Sequence, residues 1–270
     1  MNVLIDLKNC SLAHLWEMGR ERGATHVDMP PTKVKLAFTL AETLITLGII
    51  GVVAAMTIPS LITNYNKHIT EVRLQKFYSL FNQAIKLSVV ENGEVEGWSD
   101  YWNAATNIVD SDGNVLENAD VVDSAFEKYL APYMKVMTKK RVKNAQNNNE
   151  TQLLYFLADG SAFSYRSIDV KDISFYPKNP EKCLSKEHNS GICSFEFLFC
   201  PNRNSANYKY HYQAGLEPYM YSWNGQKALL YRGSSYSCSG SARYSGRYCT
   251  EMIKLNGWKI PDDYPQKISY

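Results

Sequence analysis

Residues 37–62, AFTLAETLITLGIIGVVAAMTIPSLI, constrain this chain more than any other part of it. No charged side chain occurs from residue 43 to residue 63. As a helix rising about 1.5 Å per residue, that run covers about 31 Å, the thickness of a bilayer's hydrocarbon core. Three ordinary structures use such a run: a secretory signal cut after Val53-Ala54-Ala55, an uncut signal anchor, or a long core helix. None of them accounts for Glu42. A charged group at the centre of a membrane helix costs about 2.5–3.5 kcal/mol, and even near the boundary lipid disfavours it unless it has a partner. Lys33 and Lys35 stand just ahead of the run, so the positive-inside bias keeps residues 1–37 cytoplasmic and everything after about residue 64 outside.

Cutting the chain between Ala37 and Phe38 would supply the partner. A new α-amino group at Phe38 would lie one helical turn from Glu42, or face the same carboxylate on a neighbouring chain. Charge pairing in low dielectric would then favour side-by-side packing of helices and set their stagger. Gly48, Gly51 and Ala55 fall three and four residues apart on one face, which permits close approach of helices in lipid, although such residues are also ordinary membrane-helix composition. Pro59 leaves the Ala55 carbonyl without its donor, so a kink is expected there.

These residues resemble the N-terminal segment of type IV pilins and type II secretion pseudopilins. The shared pattern is basic residues, a small residue, then Phe-Thr-Leu-x-Glu and a long apolar helix broken by proline. The family usually has glycine before the cut; here Ala37 keeps the residue small. The resemblance implies that a prepilin peptidase cleaves before Phe38 and methylates its amino group, and that Glu42 neutralises the terminus of an adjacent subunit. It makes Phe38, Glu42, Gly48, Gly51 and Pro59 assembly residues. The implied partners are copies of the chain, other pilin-like subunits, the peptidase and an inner-membrane assembly platform. The leader is longer than the family's, and Met29 would begin a more typical one, MPPTKVKLA; the choice between Met1 and Met29 stays open. Cys10, His14 and His26 would be discarded with it.

Beyond the membrane the helix continues to about residue 92. Ile69, Val72, Phe77, Leu80, Phe81, Ala84, Ile85 and Ser88 recur at three- and four-residue spacing, with Lys67, Arg73, Lys76 and Lys86 expected opposite and Asn92-Gly93 as the stop. Residues 93–150 read as a loop and a second amphipathic helix, VVDSAFEKYLAPYMKVM, interrupted at Pro132, followed by a solvated linker, KKRVKNAQNNNE. The acidic turn DSDGN lacks the register of a calcium loop. Residues 151–270 read as an antiparallel sheet domain. QLLYFLADGSAFSYRSI is a hairpin around Asp159-Gly160, and ICSFEFLF is a strand with alternating faces. The fold class is therefore α+β, a long N-terminal helix against a C-terminal antiparallel sheet.

Of six cysteines, five lie between residues 183 and 249. None forms a CxxC and no histidine stands at zinc-finger spacing, so disulfides in an oxidising compartment are expected in place of a metal. Cys183 with Cys193 and Cys238 with Cys249 are the favoured pairs. Cys193 and Cys200, an odd number of residues apart, would point to opposite sides of one strand, which leaves Cys200 free or intermolecular. His188 and His211 have no nucleophile or metal set at recognisable spacing, and no GxSxG, HExxH, P-loop or GxGxxG occurs. Neither an enzyme nor a cofactor is expected. Residues 201–250 hold six Lys/Arg against one acid, and nine tyrosines. That mixture suits stacking on nucleic acid, but serves equally as sheet and subunit packing. The expected protein is thus a subunit of a type IV pilus or type II secretion filament, held in the bacterial inner membrane with its sheet domain outside. The alternative is a membrane-tethered extracellular module that captures DNA or glycan.

Overall fold

The computed structural model describes residues 39–98, 118–145, 150–167, 172–199, 215–240 and 244–270. The chain divides into two units, Met1–Gly51 and Val52–Tyr270. Helix α1 runs Leu40–Asn92 and contains Pro59. It stops where expected: Gly93 takes φ +75°, a left-handed conformation that costs glycine nothing.

In the larger unit the helix buries Asn66, Thr70, Leu74, Phe77, Phe81, Ala84, Ile85 and Ser88, a stripe at three- and four-residue steps. That stripe differs from the expected one at its start. Val72 is 49% exposed, and Leu74 takes the core position instead. Only the 70–74–77–81 register lets Phe77 and Phe81 both face the sheet, and it leaves position 72 facing outward.

Among the described residues six antiparallel strands follow in sequential order, β1 Val136–Asn144, β2 Glu150–Leu157, β3 Ala162–Ser167, β4 Asp172–Tyr176, β5 Phe195–Leu198 and β6 Glu217–Pro218. The β2–β3 hairpin turns at Asp159-Gly160, with Gly160 at φ +77°. The first half of the polar run expected as a linker over residues 139–150 is instead β1, so the sheet begins at Val136, ahead of residue 151. β1 is an edge strand, and two of its lysines find acids on neighbouring elements. Lys139 bonds Asp123 and Glu127 of helix α2 (Asn118–Tyr129), and Lys140 bonds Glu181 of helix α3 (Pro180–Leu184).

Strand alternation gives the sheet two unlike faces. One carries Tyr155, Phe163, Phe175 and Phe195, which stand opposite one another in register across β2 to β5. Phe77 of α1 stacks on Phe175 at 4.3 Å between ring centroids and touches Phe163 and Phe197. Phe126 of α2 meets Tyr155 at 4.5 Å. Fully burying one such ring contributes about 1.5–3 kcal/mol. Just past α1 a 3-10 turn, Val95–Gly97, drops Val95 and Trp98 into this core, where Trp98 stacks on Tyr129 at 4.7 Å. The other face packs Leu154, Ala162 and Tyr176 against Cys183, Leu184 and Cys193. A third cluster gathers Tyr219, Leu230, Tyr248 and Met252 around Cys238 and Cys249, with helices α4 (Lys227–Tyr231) and α5 (Cys249–Leu255).

Candidate functional site

The head of α1 is closed by its own side chains. Glu42 Oε2 accepts hydrogen bonds from the Thr39 amide at 2.9 Å and the Thr39 hydroxyl at 2.8 Å, while Thr39 Oγ1 accepts from the Glu42 amide at 3.2 Å. This is a capping box, in which residue N-cap and residue N3 satisfy each other's orphan amide donors. Thr-Leu-Ala-Glu displays its T-x-x-E signature, so Thr39 was open to discovery from sequence. Ala37 and Phe38, and with them the expected cleavage and methylation, lie outside the described residues, as do the leader, Cys10, Cys200 and the DSDGN turn.

From residue 43 to residue 63 the threonine hydroxyls turn back onto the helix. Thr43 donates to the Leu40 carbonyl at 2.8 Å, Thr46 to Thr43 at 3.0 Å, Thr57 to Val53 at 3.0 Å and Thr63 to Pro59 at 2.9 Å. Where no water is present, a hydroxyl must be satisfied inside its own segment. Leu44, Leu47, Ile50, Met56 and Leu61 meanwhile each expose more than half of their surface. A side chain built at Gly48 or Gly51 would meet nothing. α1 is long and apolar enough to cross a membrane, and an apolar surface of this extent requires lipid or a partner to cover it.

Polar side chains fasten the second half of α1 to the sheet domain. The Arg73 guanidinium donates to the carbonyls of Pro177 and Asp159, so it ties the β2–β3 turn to the end of β4. Lys76 bonds the Asp159 carboxylate at 2.8 Å. Burial pushes that carboxyl up, but Lys76 together with the Ser161 hydroxyl and amide outweighs it and holds Asp159 at about 2. Glu71 takes Lys259 and the Ile260 amide. Asn82 behaves as a short strand, with Oδ1 accepting the Leu216 amide at 2.9 Å and Nδ2 donating to the Leu216 carbonyl at 3.1 Å. Gly215 leaves room for this pairing, since a Cβ there would fall 2.3 Å from Asn82 Oδ1 and push it aside.

The remaining polar groups of interest are enclosed. Glu196, on the second sheet face, receives the hydroxyls of Ser174 at 2.5 Å, Ser190 at 3.1 Å and Ser194 at 3.2 Å. Arg247 is buried, donates to the Tyr219 hydroxyl at 3.2 Å, approaches Asp172 at 3.5 Å and lies against the rings of Tyr219, Tyr236 and Tyr244. The described part of the tyrosine-rich region therefore wraps a cation of its own chain; Tyr208, Tyr210, Tyr212 and His211 lie outside the described residues. Lys254 bonds Glu217, whose other oxygen accepts from Tyr78. Nearby Glu251 is buried, its Oε2 has no partner among the described residues, and burial pushes its carboxyl up to about 7. Among the described residues no group of three or more His, Cys, Asp and Glu is placed to hold a metal. His188 is exposed.

The cysteines join as Cys183–Cys193 and Cys238–Cys249. The two loops they close are pressed together. A Cβ on Gly191 would lie 2.3 Å from Cys249 Sγ, and one on Gly246 would lie 2.0 Å from the Ser190 carbonyl oxygen.

An exposed apolar helix capped by an acid, continuous with an amphipathic helix that packs on an antiparallel sheet, defines a class of α+β chain with a candidate membrane anchor. More particularly, residues 60–268 match a family of unknown function, DUF6613, and the chain belongs to that family. No curated protein and no solved structure matches it.

Proposed function

We propose that this chain is a pilin-like subunit. The apolar half of α1 holds the precursor in a bilayer, cleavage before Phe38 releases an ammonium for Glu42, and the helices then pack into a filament that presents the sheet domain outward. The observation that carries this reading is Glu42 itself, an acid at the head of an apolar helix exposed on all sides. Two disulfides support placing the sheet domain in an oxidising compartment. Head-to-tail contacts that do not close build open polymers, which suits an elongated assembly. The partners are other copies of the chain, related subunits, the peptidase and the assembly platform.

The capping box favours a second reading, a tethered extracellular module in which Glu42 is a helix cap and nothing more. Two substitutions separate them. Glutamine can occupy the third position of a capping box, so Glu42→Gln keeps the cap and removes the charge. Thr39→Val removes the cap and keeps the charge. Loss of surface filaments in Glu42→Gln alone, with a mature N-terminus at Phe38 by mass spectrometry, is the expected result. Intact filament function in Glu42→Gln, or an uncut Ala37–Phe38 bond, would overturn the subunit reading.

A further inference from the structure

Just beyond the apolar run, the sheet domain gathers three lysines, Lys178, Lys182 and Lys186. Tyr65 and Thr70 lie about 3 Å and about 10 Å past Thr63 along the helix, at about 1.5 Å per residue. The headgroup layer of a bilayer is about 5–8 Å deep on each side. Tyr65 thus stands inside the headgroup layer and Thr70 just beyond its outer edge, where the loop after β4, helix α3 and the chain's last residues converge on α1. The Thr70 hydroxyl pairs with the Tyr270 hydroxyl, and the Arg73 guanidinium pins the Pro177 carbonyl. Lys178 Nζ stands over the ring of Tyr65 at 5.9 Å and over that of Tyr270 at 6.0 Å. Lys182 Nζ reaches the main-chain oxygen of Tyr270 at 2.9 Å, and Lys186 Nζ that of Ser269 at 3.1 Å.

Three features of this cluster are unusual for a surface lysine patch. No side-chain carboxylate pairs with Lys178, Lys182 or Lys186 among the described residues, whereas Lys76, Lys139, Lys140, Lys254 and Lys259 each have one. The one acid on α3, Glu181, is turned to Lys140. Burial, and then the like charge of Lys182, pulls the Lys186 ammonium below its ordinary value. Tyr65, 57% exposed beside an apolar helix, has the position and chemistry of an interfacial aromatic, with a ring for the acyl boundary and a hydroxyl for water.

We propose that Lys178, Lys182 and Lys186, with Tyr65 and Tyr270, form a collar that binds anionic phospholipid headgroups of the bilayer crossed by α1. The proposal rests on the reading of residues 43–63 as a membrane span, and not on cleavage or filament assembly. The collar would hold the sheet domain down on the lipid surface. Each lysine adds about fivefold to association with an anionic surface, and salt screens the effect.

The test uses the full chain reconstituted into phosphatidylcholine vesicles containing trace spin-labelled phosphatidylglycerol or spin-labelled phosphatidylcholine. The fraction of each label immobilised by the protein is then measured at low and high salt. The native chain is expected to immobilise the anionic label at least fivefold more strongly, with the preference collapsing at high salt. Lys178→Gln/Lys182→Gln/Lys186→Gln should abolish the preference, and the corresponding triple arginine variant should keep it, which separates charge from fold. Equal immobilisation of the two labels by the native chain overturns the collar while leaving the span intact, as does a preference that survives the glutamine triple. A chain that enters neither vesicle overturns the span, and the collar with it.

Discussion

The threonines of residues 39–63 and the serines of the sheet domain solve one problem in opposite ways. Each threonine hydroxyl of the helix bonds within three or four residues of itself. In the sheet domain Ser164 reaches Gln152 on the adjacent strand, and Ser174, Ser190 and Ser194 converge on Glu196. A segment satisfied locally asks nothing of its surroundings and can stand in lipid or against another apolar helix. A group satisfied across elements exists only while the whole domain is assembled. The contrast predicts where substitutions will be felt.

The sharpest way to break it is a pair of large-to-small changes. Phe77→Ala removes a ring from the centre of the first sheet face and should cost the sheet domain about 3–5 kcal/mol. Ile50→Ala, on the exposed apolar segment, should change the same unfolding transition by less than about 0.5 kcal/mol. Chemical denaturation of the full chain in detergent, followed by tryptophan fluorescence, measures both. Comparable losses would mean that the two regions are not energetically distinct.

A smaller effect is expected from the covalent ties. Opening the ten-residue Cys183–Cys193 loop with a double serine substitution should cost about 3 kcal/mol by the chain-entropy relation, read as a lower denaturation midpoint. The threonine-capped head of α1 should keep its helicity in that variant.

Two carboxyls sharpen the comparison by pH. Burial raises Glu251 to about 7, so the stability it permits is complete below its unfolded value near 4.5 and is lost as pH rises through 7. The change should not exceed about 3 kcal/mol, and Glu251→Gln should flatten the pH dependence between pH 5 and pH 8. Asp159 works in the other direction. Held at about 2 by Lys76 and Ser161 against the burial that raises it, it stabilises the domain above its unfolded value near 3.8 and loses that contribution as pH falls toward 2. Because the pair is partly solvated, about 1 kcal/mol is expected, and Lys76→Met should remove it.

Much of this architecture could be read from residue order because its causes are local. The α1 stripe follows from three- and four-residue spacing, and the β2–β3 hairpin follows from two apolar runs around Asp159-Gly160. β1 is not legible in the sequence for a physical reason. A register shift between Val136 and Thr138 breaks its alternation, and its lysines owe their place to Asp123, Glu127 and Glu181 on other elements. The placement of Val72 failed because spacing alone allows two neighbouring stripes, and only contact with Phe175 and Phe163 selects one. At the candidate site, Glu42 was conspicuous as an acid beside an apolar run, yet its partner Thr39 needed the helix start to be fixed to within a residue. Arg247 and its ring of tyrosines could not have been found, since residues 172, 219, 236 and 244 meet only in three dimensions.

The meeting of Gly191 and Gly246 has a practical consequence. Each backbone has clearance for a hydrogen and for nothing larger, so the two stapled loops fit like facing teeth and neither can be redesigned alone. A tag, a fluorophore or a foreign epitope spliced into residues 189–194 would jam the loop at 244–249. Insertions meant for display belong elsewhere on the molecule.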